Sequence, residues 1–464
     1  MTTIIKSDLA QPITATDQLC AYLAAGARPA DQLMIGAEVE KLVVDAQTGE
    51  AASYDRIEAL LKRLALDSHW HEVHEQGHLI ALTGNGASIT LEPGGQLELS
   101  GRICPDVHCS RGEVICHACR LVELGREMGL VFLGLGVQPF STLEKISWVP
   151  KARYSIMGPY MTRTGNMGQR MMKQTSGLQV NLDFTDEADC FAKLRLSLAL
   201  APVLYALFAN SPLLDGKPSG FLSTRGEIWS RTDPDRTGLL LPLWNEEAGF
   251  SAYVELVLDV PMYFIYRAGR YLDLTRERFT FRRYLQEGFG GQRATLGDWD
   301  MHLSTLFSEA RLRPQIEIRS PDSLPLEYCM APCAFLKGLL YDAEARDAAG
   351  RILAVVARDD YPAVTRQAWR DGLRTPFGSR TLREVSLDLL DLARDGLRRQ
   401  HAASRCGKAH QHDEWHYLEA FYQLAQSGAT LAERLLSRWG GDRAHQLAVL
   451  VDHCGYCRDM PECQ

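Results

Sequence analysis

Ser88-Ile89-Thr90-Leu91-Glu92-Pro93-Gly94-Gly95-Gln96-Leu97-Glu98-Leu99-Ser100-Gly101 reads as two strands folded about a Pro-Gly-Gly turn. Successive strand side chains point to opposite faces. The apolar residues Ile89, Leu91, Leu97 and Leu99 seek a core, so the acidic Glu92 and Glu98 belong to a face that is either wet or a cleft filled by cations. Upstream, Met34 to Asp45 alternates Ile35, Ala37 and Val39 with Glu38 and Glu40. Residues i and i+2 of a strand lie about 6.5–7 Å apart on one side, so Glu38 and Glu40 converge on one space. Glu317, between Ile316 and Ile318, repeats the pattern in the short segment Gln315 to Arg319.

A lone E-x-E is more often an outward, solvated face. Glu92 and Glu98 alter that balance because their neighbours in sequence are apolar. Like charges this close repel unless a cation lies between them. Magnesium takes carboxylate oxygens at about 2.0–2.1 Å and commonly brings nucleotide phosphates with it. Gln179 and Asn181, in Leu178-Gln179-Val180-Asn181-Leu182, are polar residues on one face of another apolar strand. They are either hydrogen-bonded on a wet face or line a site. Basic residues follow: Lys151 and Arg153 after Pro150, then Arg225, Arg231 and Arg236 with Trp229 in the loop-like stretch Ser223 to Gly238, and Arg319 two residues after Glu317. Guanidinium groups grip phosphates and carboxylates bidentately, although any single arginine also fits a solvated loop.

Around these strands, Gly177 to Phe184 and Val131 to Gln138 are expected to be extended. Tyr54 to Leu66, Arg111 to Met128 and Arg380 to Arg399 have helical periodicity. Asp186 to Ala209 reads as one buried helix ending before Ser211-Pro212. Thr430 and Glu433 form a capping box that opens a helix to Trp439, stopped by Gly440-Gly441. Strands fill the first two-thirds of the chain and helices the last third, which predicts an α+β fold around one mostly antiparallel sheet with flanking helices. No βαβ alternation and no G-x-x-x-x-G-K-[ST] is present, which argues against a P-loop or Rossmann enzyme.

The 464 residues are 46% hydrophobic and 23% charged, with a net charge of −8. That balance suits a globular protein with a sizeable core and disfavours a nucleic-acid partner. Met1 to Asp31 shows no basic segment followed by an apolar one, and the apolar run Leu196 to Ala209 is too short for a bilayer. A cytosolic (cytoplasmic) protein with no membrane partner is expected. Twelve cysteines in such a compartment do not suggest a disulfide scaffold. Cys116-His117-Ala118-Cys119 and Cys454-Gly455-Tyr456-Cys457, with Cys109 and Cys463 nearby, have the local spacing of a zinc site. The first pair falls in an expected helix, where ordinary packing explains it better.

At these residues the chain resembles a family. Gly36-Ala37-Glu38-Val39-Glu40-Lys41 is similar to the G-x-E-x-E-K-F opening of the plant-type and proteobacterial glutamate–cysteine ligases. Ser88 to Gly101 resembles that family's S-[IL]-[ST]-L-E-P-G-G-Q-x-E-L-S-G. Pro150-Lys151-Ala152-Arg153-Tyr154-Ser155-Ile156-Met157 resembles P-K-x-R-Y-x-I-M. Met171-Met172, Thr175 and Gln179-Val180-Asn181-Leu182-Asp183-Phe184 continue the series, as do Leu207 to Pro212, Asp235 to Gly238 and Asp259 to Phe264. The likeness runs over about residues 30–345 and returns weakly at Ala425 to Glu433.

The resemblance implies a curved, glutamine-synthetase-like half-barrel sheet. It assigns residues 1–345 to a catalytic domain and residues 346–464 to a mainly helical region packed on it. It implies ATP as a substrate and magnesium, with manganese as its alternative, as cofactor. Metal or phosphate ligands would be Glu38, Glu40, Glu92, Glu98, Glu317, Gln179 and Asn181. Arg319, Lys151 and Arg231 would be catalytic cations. Arg153, Tyr154, Trp229, Arg236, Tyr253 and Tyr263 would bind substrate. The implied reaction joins the γ-carboxylate of L-glutamate to the amine of L-cysteine through a γ-glutamyl phosphate, the first step of glutathione synthesis, in a monomer or homodimer. Small-molecule substrates are the expected partners: glutamate, ATP, and cysteine or another amine. Arg102 to Asp106, Ser176-Gly177 and the C-terminal His401, His410, His412 and His416 depart from the family pattern. A γ-glutamyl ligase with a different acceptor is therefore one alternative. A non-catalytic relative that binds nucleotide or metal is another.

Overall fold

The computed structural model describes residues 9–67, 69–403 and 413–456. Nine strands make one sheet: β1 (Ile35–Asp45), β2 (His71–Glu75), β3 (His78–Gly84), β4 (Ala87–Leu91), β5 (Leu97–Ser100), β6 (Leu130–Leu133), β7 (Leu178–Leu182), β8 (Ala310–Leu312) and β9 (Ile316–Ile318). The order is β8-β9-β7-β1-β5-β4-β3-β2, with β6 pairing the distal half of β1. Every neighbouring pair is antiparallel. The path begins at β8 and ends at β2, so the sheet is open rather than a closed barrel. This is the expected α+β class.

The sheet sorts its side chains by parity. Val39, Ile89, Leu97 and Leu99 are buried against the helices Tyr54–Leu64 and Val107–Met128, which supply Ile57, Leu60, Leu61, Val114, Ala118 and Leu121. The opposite face of the same strands carries the acidic and amide residues. Asp106 caps the helix Val107–Met128 by accepting from the Cys109 backbone N–H at 2.7 Å. This cap folds Cys104 toward Cys109, whose Cα atoms stand 5.7 Å apart and whose sulfurs are joined. The sequence suggested no disulfide scaffold, and it did not announce this single local link.

Two further expectations change, and one element is new. The stretch Asp186 to Ala209 is two helices, Glu187–Ala199 and Ala201–Leu207, bent by 49°. Pro202, in the first turn of the second helix, has no N–H to continue the ladder of the first. The strand expected over Val131 to Gln138 stops at Leu133. Beyond it the backbone N–H groups of Gly134, Gly136 and Gln138 donate instead to Cys454, Asn210 and Gln174. The hairpin β2–β3, which turns at Gln76-Gly77 with both residues at positive φ, adds an edge that the sequence reading passed over.

The capping box at Thr430 and Glu433 forms as expected, and its helix spans Leu431–Arg438. The helix Ala331–Leu340 packs on Leu382–Ala403, with Gly338 backed against the Ala393 carbonyl. Cys454 is buried and its thiol donates to the Leu450 carbonyl. Cys457, Cys463, His410 and His412 lie outside the described residues.

Candidate active site

Register places the polar residues. Glu40 is opposite Glu98 and Glu38 opposite Ser100 across β1 and β5. Across β1 and β7, Glu38 faces Gln179 and Gly36 faces Asn181. Asn181 in turn faces Glu317 of β9, and Glu317 faces Arg311 of β8. Glu38, Glu40, Glu98, Gln179, Asn181 and Glu317 therefore share one face, because residues directly opposite in a ladder point the same way.

Hydrogen bonds knit this face together. Gln179 donates its side-chain amide to Glu40 at 2.8 Å, and Asn181 donates to Glu38 at 3.0 Å. The Gly177 backbone N–H gives Glu40 a further donor at 2.6 Å. Thr90 and Ser100 both donate to Glu98 Oε1, at 3.0 and 2.9 Å. Glu317 has stronger partners: Arg311 Nε and Nη2 at 2.9 and 2.8 Å, and Arg319 Nη1 at 2.5 Å.

The electrostatics divide accordingly. Burial, followed by the charges of Glu317 and Glu98, pushes the Glu38 carboxyl up to about 7. Burial with Glu98 and Glu92 does the same for Glu40, also to about 7. Burial opposes ionisation of Glu317 as well, but Arg311 and Arg319 hold it down to about 2. Neutral amides do not offset a buried carboxylate; guanidinium groups do.

Two hollows open on this face. One, narrow, is bordered by Glu40, Glu92, Gln179, Arg225, Trp229 and Arg319. The guanidinium carbons of Arg225 and Arg319 both lie over the Trp229 ring, at 6.0 and 5.6 Å. The other, of about 490 Å3, reaches Glu38 and Asn181 from the start of β1, with Arg28 and Asp183 at its edge. Neighbouring residues of one strand thus face two separate spaces.

The remaining sequence candidates scatter. Lys151 is buried and donates to the Leu91 carbonyl at 2.7 Å. Its burial, opposed by Glu92, brings its ammonium down to about 8. Lys151 and Tyr154 line a separate surface hollow beside Trp148, and Arg153 packs between the rings of Tyr154 and Phe264.

Four of the expected residues stand away from both hollows. Arg231 is exposed and bonds to Asn166 and Glu227, so its charge is spent at the surface. Arg236 is buried in an ion pair with Asp233 at 2.6 Å and under the Tyr263 ring at 3.9 Å, and it serves the core. Tyr253 is buried with its hydroxyl closed on the Leu312 backbone. Tyr263 is buried against Arg236 and Tyr160. None of the four borders either hollow.

Arg311 was missed. Its strand is three residues long, and nothing in Ala310-Arg311-Leu312 marks the arginine as facing Glu317. Arg225 was visible only as one of several loop arginines. Asp322, buried 4.0 Å from Arg225 and accepting from Ser211, Ser223 and the Asn210 backbone, was also missed; its short hydroxyl-rich surroundings, Ser320 to Ser323, were the available signal.

Known proteins bear on this geometry. The profile described as glutamate–cysteine ligase family 2 matches residues 34–453. The chloroplastic glutamate–cysteine ligase of Brassica juncea is 41% identical over 440 residues, which covers 93% of this chain and 82% of that protein. Its counterpart from Medicago truncatula is 40% identical over 454 residues, covering 96% and 86%. A crystal structure of a glutamate–cysteine ligase from Francisella tularensis in complex with AMP aligns over 91% of this chain and 88% of its own. Its TM-score is 0.53 at 14% identity, a likeness of fold. The plant relatives are named as chloroplastic proteins, which overturns the expectation of a cytoplasmic location. A match over nearly the whole chain, together with relatives at about two-fifths identity, makes this chain a member of glutamate–cysteine ligase family 2.

Proposed function

We propose that the chain performs ATP-dependent ligation of the γ-carboxylate of L-glutamate to the amine of L-cysteine, the first step of glutathione synthesis. The observation that carries this reading is the acidic and amide face of β1, β5, β7 and β9, flanked by one arginine-walled hollow and one larger hollow. A carboxylate is a poor electrophile. In the first step its oxygen attacks the terminal phosphorus of ATP, and ADP leaves. In the second, the amine nitrogen attacks the acyl carbon, the bond to the phosphate oxygen breaks, phosphate departs with the electron pair, and the amine yields a proton to water. The hollow at Glu40 takes the amino acids and the larger hollow at Glu38 takes the nucleotide. Arg319 and Arg225 neutralise anionic groups of the substrate and the transferring phosphoryl group.

The donor set fits magnesium or manganese. Glu38, Glu40, Glu92 and Glu98 offer hard oxygens. Asn181 Oδ1 is buried with no hydrogen-bond partner, although its amide nitrogen is engaged with Glu38. Among the described residues no three acidic, histidine or cysteine side chains already stand at metal-ligand spacing; the oxygens of Glu38, Glu40 and Glu98 are turned instead to the amides and hydroxyls beside them. Bound there, the ion supplies charge neutralisation at the phosphate oxygens. Glu317, held by two arginines, tethers Arg319 at the edge of the hollow. Residues 1–345 carry the chemistry in this reading, and residues 346–464 brace it. Lys337 and Glu414 join the two parts at 2.6 Å, and Glu414 also accepts from the Val107 backbone.

The test is ADP release with ATP, glutamate and a panel of amines, with the mass of the product measured. Release that depends on both glutamate and cysteine, and that Glu38→Gln abolishes while circular dichroism stays native, supports the reading. Release with glutamate that no cysteine accelerates points to another acceptor.

A further inference from the structure

One wall of the arginine-bordered hollow is built from three thioethers: Met157 of the helix Tyr154–Thr164, and Met171 and Met172 of the helix Gly168–Gln174. All three are buried, at 1%, 5% and 2% exposure. Polar side chains stand beside them, but their donors are already committed. Thr175 gives its hydroxyl hydrogen to the Met171 carbonyl at 2.6 Å. Gln96 gives its amide hydrogens to the carbonyls of Met172 and Thr175, at 3.2 and 2.8 Å, and its amide oxygen accepts from the Gly94 backbone. The methionine stretch of the lining therefore offers no uncommitted donor from Thr175 or Gln96, while the charged groups of the hollow belong to Glu40, Glu92, Arg225 and Arg319.

We propose that Met157, Met171 and Met172 form the pocket for the acceptor's side chain and select a thiol over a hydroxyl. This rests on the ligase reading and on the placement of the amino acids in this hollow. A hydroxyl directed at this wall gives up strong hydrogen bonds to water and meets no uncommitted donor in Thr175 or Gln96. A thiol is a weak donor and acceptor that loses little, and it gains dispersion contacts against polarisable thioethers. Small apolar side chains of similar size are tolerated for the same reason. Selection here operates by leaving serine unsatisfied, not by grasping the sulfur.

The test is kcat/KM for cysteine, 2-aminobutyrate and serine in wild type, Met172→Gln, Met172→Leu and Met157→Leu. A ratio between two acceptors is independent of the fraction of folded enzyme, so a variant that folds poorly still reports. Wild type is expected to prefer cysteine to serine by roughly 100-fold, the scale for rejecting an added hydroxyl by an apolar pocket. Met172→Gln, which adds donors at similar volume, is expected to shrink that preference about tenfold. The two leucine variants are expected to keep it within about threefold. A cysteine-to-serine ratio unmoved by Met172→Gln, in an enzyme that still ligates cysteine, overturns the inference and leaves the ligase reading standing. An enzyme that ligates no amine to glutamate overturns both.

Discussion

Arg311 and Glu317 stand directly opposite each other on β8 and β9, and the guanidinium grips the carboxylate with two nitrogens, at 2.9 and 2.8 Å. Both are buried, and Arg311 also donates to the Ser304 and Leu306 carbonyls at 2.7 Å. The pair ties the sheet edge to the loop before it and, through Glu317, fixes Arg319. Arg311→Met removes a cation from a buried network and is expected to cost about 3 kcal/mol in urea unfolding. Glu317→Gln keeps the shape, releases Arg319, and is expected to lower kcat by at least about 100-fold with a native spectrum. Activity within tenfold of wild type in that variant contradicts a role for Glu317.

Gly177 is where the backbone meets the site most closely. Its N–H donates to Glu40, and a Cβ built there would lie 2.5 Å from Arg225 Nη2. That nitrogen is not free to swing, since Arg225 is held by the Arg319 and Ser320 carbonyls at 2.8 and 3.1 Å. Gly177→Ala is therefore expected to displace Arg225 from the hollow. The expected result is a fall in kcat/KM for glutamate of up to about 100-fold, the order that follows a 1 Å misplacement of a positioning group, with less than about 2 kcal/mol lost from stability. Unchanged kinetics would show that Arg225 serves the fold and not the substrate.

The strand-borne part of the site was legible because a period of two is a local property. Glu38 and Glu40, or Gln179 and Asn181, declare a shared face within five residues, and antiparallel pairing then joins those faces without further information. The cationic part was not. Arg236 and Arg225 look alike in sequence, yet one closes on Asp233 three residues earlier and the other reaches the hollow across three separate segments. Asp233 was a usable warning, since an i, i+3 acid satisfies an arginine before any substrate does. Arg311 needed the β8–β9 register, a contact that no triplet encodes. Tyr253 and Tyr263 show the same limit, because an aromatic ring suits a core as well as a pocket. The break at Pro202 was readable from the missing N–H alone.

Gly338 and Ala393 test how the C-terminal helices are held. A Cβ on Gly338 would stand 2.3 Å from the Ala393 carbonyl oxygen, and one on Gly396 2.1 Å from the Gly338 carbonyl oxygen. Neither obstacle is a side-chain tip that can turn away. Gly338→Ala must separate the helices Ala331–Leu340 and Leu382–Ala403, and is expected to cost about 3 kcal/mol, the upper range for overpacking. The urea midpoint measures it. A loss below about 0.5 kcal/mol, the size of an ordinary surface change, would mean that the helices part without penalty.

His302 gives a pH dependence that can be isolated. It is buried against Phe281, its Nε2 is 3.1 Å from the Val257 carbonyl, and burial brings its pKa down to about 3. The unfolded chain titrates this group near 6.5, so between pH 6.5 and 3 the unfolded state binds more protons. The stabilisation is complete above pH 6.5 and is lost as pH falls. From pH 7 to 5 the loss is about 2 kcal/mol, at 1.36 kcal/mol per unit. Glu38 and Glu40 act in the opposite sense: raised to about 7, they bind protons in the folded state first and stabilise it as pH drops from 7 toward 4.5. The whole-protein curve therefore masks both effects, and the informative quantity is a difference between variants. His302→Gln retains a donor for Val257 but does not titrate. Its stability relative to wild type is expected to improve by about 2 kcal/mol between pH 7 and pH 5. Glu38→Gln is expected to change its relative stability in the other direction by a similar amount. Urea unfolding at the two pH values, without added metal, measures each; parallel curves for wild type and His302→Gln would show that the imidazole titrates in the folded chain as it does in the unfolded one.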